Sequence, residues 1–424
     1  MAETNANEDS ALVVAEALKS ISASNFGAFQ NEIYAAGMLH QQFPLVTTDP
    51  NKLEDQARKC LPPAAYNYVA GGAGERATMV ANRLAFMQWK IVPRMLRPTG
   101  KRDLHVELFG EIYKSPILMA PVGVQSIFHS DKETGLAQVC AETGVPYILS
   151  TASTSTIEEV AAASTGPKWF QLYWPKDHSI TNSLLNRAKS QGYKVLVVTL
   201  DTWTLAWRPA DLDGGYIPFV KGLGNQIGFS DPVFRAKIAS KYDGATPEER
   251  VLHASQEWLQ DVFSGSSQGW EDLKLLREAW DGPIVLKGIQ HPDDARLAVE
   301  AGCNGIIVSN HGGRQLDGAV GSLDMLPEIV EAVGNKVTVL FDSGIRTGAD
   351  IIKALSLGAK AVLVARPVIY GLAIAGKKGA KQVLQGLLAD LDQSMGLAGI
   401  KDIEGCNEAV LKKIPYGGHA ITSN

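Results

Sequence analysis

The chain has 424 residues, 45% hydrophobic and 20% charged, with a formal net charge of −5. That length holds one barrel-sized domain of about 250 residues plus extensions, and the mild acidity leaves no electrostatic case for nucleic acid or an anionic membrane. No apolar stretch is long enough to span a bilayer, the polar start lacks the basic-then-apolar order of a secretory signal, and Cys60, Cys140, Cys303 and Cys406 are scattered without metal-like spacing. A cytoplasmic protein with reduced thiols and no metal site is expected.

In chain order, residues 1–30 read as a leader, with a short amphipathic helix over 11–18. Residues from about 50 to 70 read as one helix running into Gly71-Gly72-Ala73-Gly74. No strand precedes that cluster and its spacing is not that of a dinucleotide fingerprint, so it reads as a turn. From there to residue 366, eight short apolar runs recur at 116–121, 147–150, 169–173, 195–201, 283–287, 305–311, 337–342 and 361–366. Continuous apolar runs of this length fit strands buried on both faces. Eight of them alternating with helical stretches predict an α/β fold, a (β/α)8 TIM barrel with an N-terminal helical extension.

Barrel active sites lie at the carboxyl ends of the strands. The residues ending the runs are therefore candidates: Ser150, Gln171, Tyr173, Thr199, Asp201, Lys287, His311, Asp342 and Arg366. Between the fourth and fifth runs the connection is far longer than a crossover helix requires and is rich in Gly, Asp, Ser and aromatics. It leaves from the active-site face and reads as a long loop after strand four acting as a lid, about 207–270. The stretch 377–400 reads as a helix with Leu and Met on one face, covering the barrel bottom or supporting assembly.

The densest chemistry is Ser309-Asn-His-Gly-Gly-Arg-Gln315. His311 leaves a buried strand and suits proton transfer near neutrality. Arg314 can grip a carboxylate with two parallel hydrogen bonds. Asp201 ends strand four, within reach of a histidine two strands round. Arg208 starts the long loop, where a second cation would help bind an anion. Lys287 can stabilise negative charge or form a Schiff base, and residue chemistry leaves both open. His291 opens a helix and reads as a cap. The loops after strands seven and eight, Asp342-Ser-Gly-Ile-Arg346 and Ala365-Arg366, are where this fold usually binds phosphate, and Gly344 with two arginines suits one. There is no Gly-x-Ser-x-Gly elbow, no His-Glu-x-x-His and no Walker pattern.

These residues together resemble the FMN-dependent L-2-hydroxy acid oxidase/dehydrogenase family, whose signature Ser-Asn-His-Gly-[Gly/Ala]-Arg-Gln stands here as Ser309 to Gln315. The match also runs through Tyr68-Val-Ala-Gly-Gly72, Leu200-Asp-Thr-Trp203, Trp207-Arg-Pro209 and Phe341-Asp-Ser-Gly-Ile-Arg346, and within the family is strongest to lactate 2-monooxygenases. It spans residues 31–397, leaving 1–30 as leader and 398–424 as C-terminal tail. The resemblance implies FMN as cofactor. It makes His311 the base, supported by Asp201, with Arg314, Arg208 and Tyr68 on the substrate carboxylate and Tyr173 on the hydroxyl. Lys287 would sit by the flavin, with Pro121, Val122, Gly123, Ser150, Gln171, Thr199 and Ser309 lining its ring system. Asp342, Gly344, Arg346, Ala365 and Arg366 would hold its ribityl phosphate.

Gly123 stands where many oxidases of the family carry alanine, which implies room at the flavin face. Ala152 stands where glycolate oxidase carries tryptophan. The expected reaction is oxidation of a short L-2-hydroxy acid, L-lactate first, with O2 as acceptor, giving acetate, CO2 and water. The alternative is release of the 2-oxo acid and H2O2. Readings of other classes are a phosphate-binding aldolase or isomerase using Lys287, and a flavin-binding protein without turnover. A homotetramer is implied by the resemblance alone.

Overall fold

The structure is a computed structural model and describes residues 26–266 and 268–414. The short helix expected over 11–18 lies outside them. All eight apolar runs form strands: β1 (Ile117–Met119), β2 (Tyr147–Ser150), β3 (Lys168–Leu172), β4 (Leu196–Thr199), β5 (Ile284–Ile289), β6 (Gly305–Val308), β7 (Thr338–Phe341) and β8 (Ala361–Val364). They pair in parallel in sequence order, and β8 returns to β1 to close the barrel. Closure leaves no edge and buries nearly every strand residue on both faces, the reason the runs are apolar throughout rather than alternating. Short helices fill most crossovers.

The chain differs from expectation in three places. Residues 50–70 form two helices, Leu53–Cys60 and Pro63–Ala70. Leu61 is extended because a proline follows it, and Pro63 takes the first helical position of the second helix, where its missing N–H costs nothing. The 377–398 helix does not cover the barrel bottom. It is the second half of Arg366–Ala398, kinked at Ala375 and Gly376, and packs outside the barrel against the Lys132–Thr143 and Gly348–Ser356 helices. The bottom is closed by a hairpin of strands Val106–Leu108 and Glu111–Tyr113. Its Tyr113 hydroxyl accepts from Trp169 Nε1 at 3.3 Å, and Phe109 packs edge-on against the same indole.

The third difference is the connection after β4, which is not one loop. It holds helices Pro209–Asp213, Gln226–Phe229, Pro232–Lys241 and Val251–Val262. Its later half is part of the core: Phe234 is fully buried, stacks on Phe229 and meets Trp258 edge-on at 5.2 Å between centroids. Arg187 ties it to the barrel helices through Glu158 at 2.8 Å and the fully buried Asp231 at 3.3 Å. Its earlier half is open, with Trp207 75% exposed. Among the described residues no helix is long and apolar enough to cross a membrane.

Trp258→Ala should therefore cost about 3–5 kcal/mol of stability, as for a large buried aromatic. Chemical denaturation of the holoprotein measures this; a loss below about 1 kcal/mol, the surface-like range, would show that the later half is not core.

Candidate active site

At the carboxyl ends of the strands lies a cleft of about 1040 Å³ including its mouth. It is lined by Tyr68, Pro121, Val122, Gly123, Tyr173, Arg208, Lys287, His311, Arg314, Asp342, Gly344, Arg346, Ala365 and Arg366, all expected from the sequence. Ser150, Gln171, Thr199, Asp201 and Ser309 do not line it and form a polar layer beneath. Gln171 Nε2 donates to Thr199 Oγ1 at 2.9 Å, and Ser309 Oγ accepts from Lys287 Nζ at 3.0 Å.

His311 follows β6 with a left-handed φ of 57°. Its Nδ1 is 2.7 Å from Asp201 Oδ1 and 3.0 Å from Thr202 Oγ1. The carboxylate accepts the Nδ1 proton, which leaves Nε2 as the free base. Burial lowers the imidazole pKa below the ordinary 6.5; Asp201 pulls it up and Lys287 pushes it down again. Burial would raise the Asp201 carboxyl, but His311 and Lys287 outweigh it and hold it well below the usual range. Lys287 loses by burial and gains more from Asp342 at 3.4 Å and Asp201 at 3.9 Å, so it stays charged with a raised pKa. Gly288, on β5 between them, has φ 108°, and a Cβ there would stand 2.9 Å from Asp201 Cβ. Only glycine lets that carboxylate come so close.

Arg314 Nη1 donates to Gly71 O at 2.8 Å, and its guanidinium lies over the Tyr68 ring, 5.3 Å from the centroid. The Gly71–Gly74 turn thus serves as a seat for the clamp arginine. Arg208 Nε donates to Arg314 O at 2.9 Å. Burial and Arg314 bring Arg208 down to about 10, still charged at neutrality. The Tyr173 phenol is raised by burial and keeps its proton to donate.

At the other end, Arg346 and Arg366 both line the cleft, close enough to repel each other. Burial, then Arg346, brings Arg366 down to about 10. Glu54 acts on both arginines and Asp350 on Arg346, yet the two like charges still repel each other, and a bound dianion would relieve them. A phosphate-bearing cofactor with a flat ring beside Pro121 to Gly123 and Lys287 fits this cleft. Lys287 being paired with two carboxylates is not the neutral amine a Schiff base requires.

One expected feature fails. A Cβ on Gly123 would meet Ala152 O at 2.6 Å and Ala152 Cβ at 2.7 Å. Val124 N donates to that carbonyl at 2.8 Å. The glycine accommodates a close backbone approach and leaves no free room at the flavin face.

Several contributors have little or no signal in the sequence. Asn82, from the Ala77–Gln88 helix, exchanges two amide hydrogen bonds with Asn310, at 2.9 and 2.7 Å, and so fixes the residue before His311. Arg83 pairs with Asp350 at 2.9 Å and donates to Gly344 O, bracing the phosphate loop. Gln315 Nε2 holds Asp201 O at 2.8 Å. Phe219 and Phe263 close the cleft 5.6 Å apart. Gln315 stands in the signature itself and Thr202 beside Asp201; the others carry no such signal. Among the described residues no group of His, Cys, Asp or Glu is placed to hold a metal ion.

A closed (β/α)8 barrel with a histidine–aspartate pair between two cationic pockets defines a class of anion-handling barrel enzymes, and comparison with known proteins identifies the family. The model of the FMN-dependent dehydrogenase family matches residues 57–413, and the chain belongs to that family. It is 60% identical to an FMN-dependent alpha-hydroxy acid dehydrogenase of Penicillium citrinum, over 94% of this chain and 98% of that one. It is 41% identical to an L-lactate oxidase of Lysinibacillus sphaericus, over 88% and 93%. A solved mandelate oxidase superposes with a TM-score of 0.75 at 37% identity, over 87% and 98%. The protein is an FMN-dependent alpha-hydroxy acid oxidoreductase.

The neutral base is lost as pH falls through the His311 pKa, so kcat/KM should fall on an acid limb centred below 6.5. Asp201 raises that pKa, so Asp201→Asn should move the limb lower still as well as slowing turnover. Profiles of both proteins test this, and an upward move would contradict the pairing.

Proposed function

We propose that this protein oxidises an L-2-hydroxy acid to its 2-oxo acid, with O2 as final acceptor and H2O2 as second product. The observation that carries this is the Asp201–His311 pair beside the Arg208–Arg314 clamp. Arg314 and Arg208 bind the substrate carboxylate, with Tyr68 on the wall. Tyr173 donates to the hydroxyl oxygen and the carbonyl that replaces it. His311 Nε2 takes the proton released from the substrate, and Asp201 carries the resulting positive charge. Pro121, Val122 and Gly123 would flank the ring system of FMN, Lys287 would stabilise negative charge on it, and Asp342, Gly344, Arg346, Ala365 and Arg366 would hold its ribityl phosphate. With FMN held there, the two electrons leaving the α-carbon would have their acceptor. L-Lactate is the smallest chiral 2-hydroxy acid that satisfies the clamp and the base.

The monooxygenase outcome, acetate with CO2 and water, needs product held in place. Gly123 offers no room for such retention, since Ala152 fills the space beside it; the inserted segment over the cleft is what would hold product in. The exposed apolar stripe Val80, Leu84 and Met87 supports a homo-oligomer, for which the tetramer is our reading, and four free cysteines suit the cytoplasm.

His311→Gln should keep FMN bound and slow its anaerobic bleaching by L-lactate by about 10²–10⁴-fold; rapid bleaching would remove His311 from its role. Product analysis of the unmutated enzyme should find 2-oxo acid and H2O2 in equal amounts, whereas acetate and CO2 would establish the retained-product route.

A further inference from the structure

The cleft does not end at the carboxylate clamp. A second hollow, of about 1280 Å³ including its mouth, opens beside it and shares Tyr68, Leu205, Arg208 and Phe219 with it. Its outer wall is apolar yet exposed, with Trp207 at 75%, Ile217 at 45% and Val220 at 42%. Exposed apolar surface gathered in a concavity marks a binding site far more often than apolar residues scattered singly.

One acid lies in this hollow. Asp211 sits on the Pro209–Asp213 helix, and its Oδ1 is buried with no hydrogen-bond partner. Tyr68, Tyr216, Arg208 and Arg314 are all close enough to act on its charge, yet none donates to that oxygen. Burial pushes the carboxyl above its ordinary value, against the pull of the two arginines. A buried acceptor left unpaired costs about 1–3 kcal/mol, and a donor on a ligand would recover it.

L-Lactate, with a single methyl beyond its α-carbon, has nothing to place in this hollow. We propose that the hollow is a side-chain subsite, and that the substrate is a 2-hydroxy acid with a bulky apolar side chain bearing an O–H or N–H donor for Asp211. The carboxylate stays on Arg314 and Arg208, the side chain runs along the wall that the packed Tyr68 and Phe219 rings form, 6.5 Å between centroids, and its distal donor reaches Asp211. This rests on the reading of the cleft as a hydroxy-acid site.

The test compares the FMN-loaded enzyme on L-lactate, L-3-phenyllactate, L-3-(4-hydroxyphenyl)lactate and L-indole-3-lactate. kcat/KM for phenyllactate should exceed that for lactate by about 10-fold or more, as even one or two extra apolar groups in a fitted pocket produce. At least one donor-bearing acid should exceed phenyllactate by a further factor of about 10. Asp211→Ala should bring the ratio of donor-bearing to plain substrate towards one, and Asp211→Asn, which keeps an acceptor, should restore most of it. Val220→Arg, at an exposed position, should lower the phenyllactate-to-lactate ratio by filling the hollow. Lactate preferred over all three larger acids would overturn the subsite, and a substrate ratio unmoved by Asp211→Ala would overturn the donor. Bleaching by none of the four acids would instead overturn the hydroxy-acid reading itself.

Discussion

Asp201 serves two partners at once. Its Oδ1 meets His311 Nδ1 at 2.7 Å and its Oδ2 lies 3.9 Å from Lys287 Nζ. A lone buried carboxylate would protonate, and a carboxylate paired only with a histidine would pull that histidine towards its charged form. Lys287 eases the conflict: together with His311 it keeps Asp201 ionised, while it opposes the protonation of His311. Asp342, 3.4 Å away, in turn keeps Lys287 charged in a dry site. The base is available near neutrality because burial, with Lys287 beside it, outweighs the pull of Asp201. Removing one member of such a cluster leaves a buried charge unmatched, a cost of about 3–5 kcal/mol, so these residues act as a unit.

Around this nearly balanced centre the cleft is cationic at both ends. Arg208 and Arg314 stand at one and Arg346 and Arg366 at the other. Two anions complete it, a carboxylate and a phosphate. Both cationic ends depend on the N-terminal extension. Tyr68 and Gly71 seat Arg314, while the Ala77–Gln88 helix reaches Asn310 through Asn82 and the Gly344 loop through Arg83. The extension is thus a working part of the site and not a leader attached to a finished barrel.

The sequence makes the barrel and the strand-end residues legible because burial on both faces writes a continuous apolar run, and the next residue is where the chain meets the ligand. It makes the Asn82–Asn310 pair illegible: the two are 228 positions apart, and although Asn310 stands in the signature, nothing marks Asn82 as its partner. Gly123 misleads for a related reason. An absent side chain suggests space, but Ala152 O occupies it, and only the fold shows which backbone comes near. The segment after β4 looks like a loop because its Gly- and Asp-rich turns outnumber its helical signals. The burial of Phe234 and Trp258 against each other shows that tertiary packing holds helices too short to persist alone.

That packing divides the insertion and limits what can move. The later half is tied down by Arg187, which binds Glu158 and Asp231 and also donates to Ile227 O at 3.0 Å. The freer portion is the short stretch around Trp207–Lys221, which carries Arg208 of the clamp, Asp211 of the hollow and Phe219 of the shared wall. Substrate grip, substrate size and product escape therefore depend on the same few turns. If they close on a small acid, the empty hollow remains a way out for product. If a larger side chain fills the hollow, it blocks that way while turnover proceeds. Retention of product, and with it the choice between releasing peroxide and consuming it, then follows from how well the substrate fits the hollow rather than from any group at the flavin face.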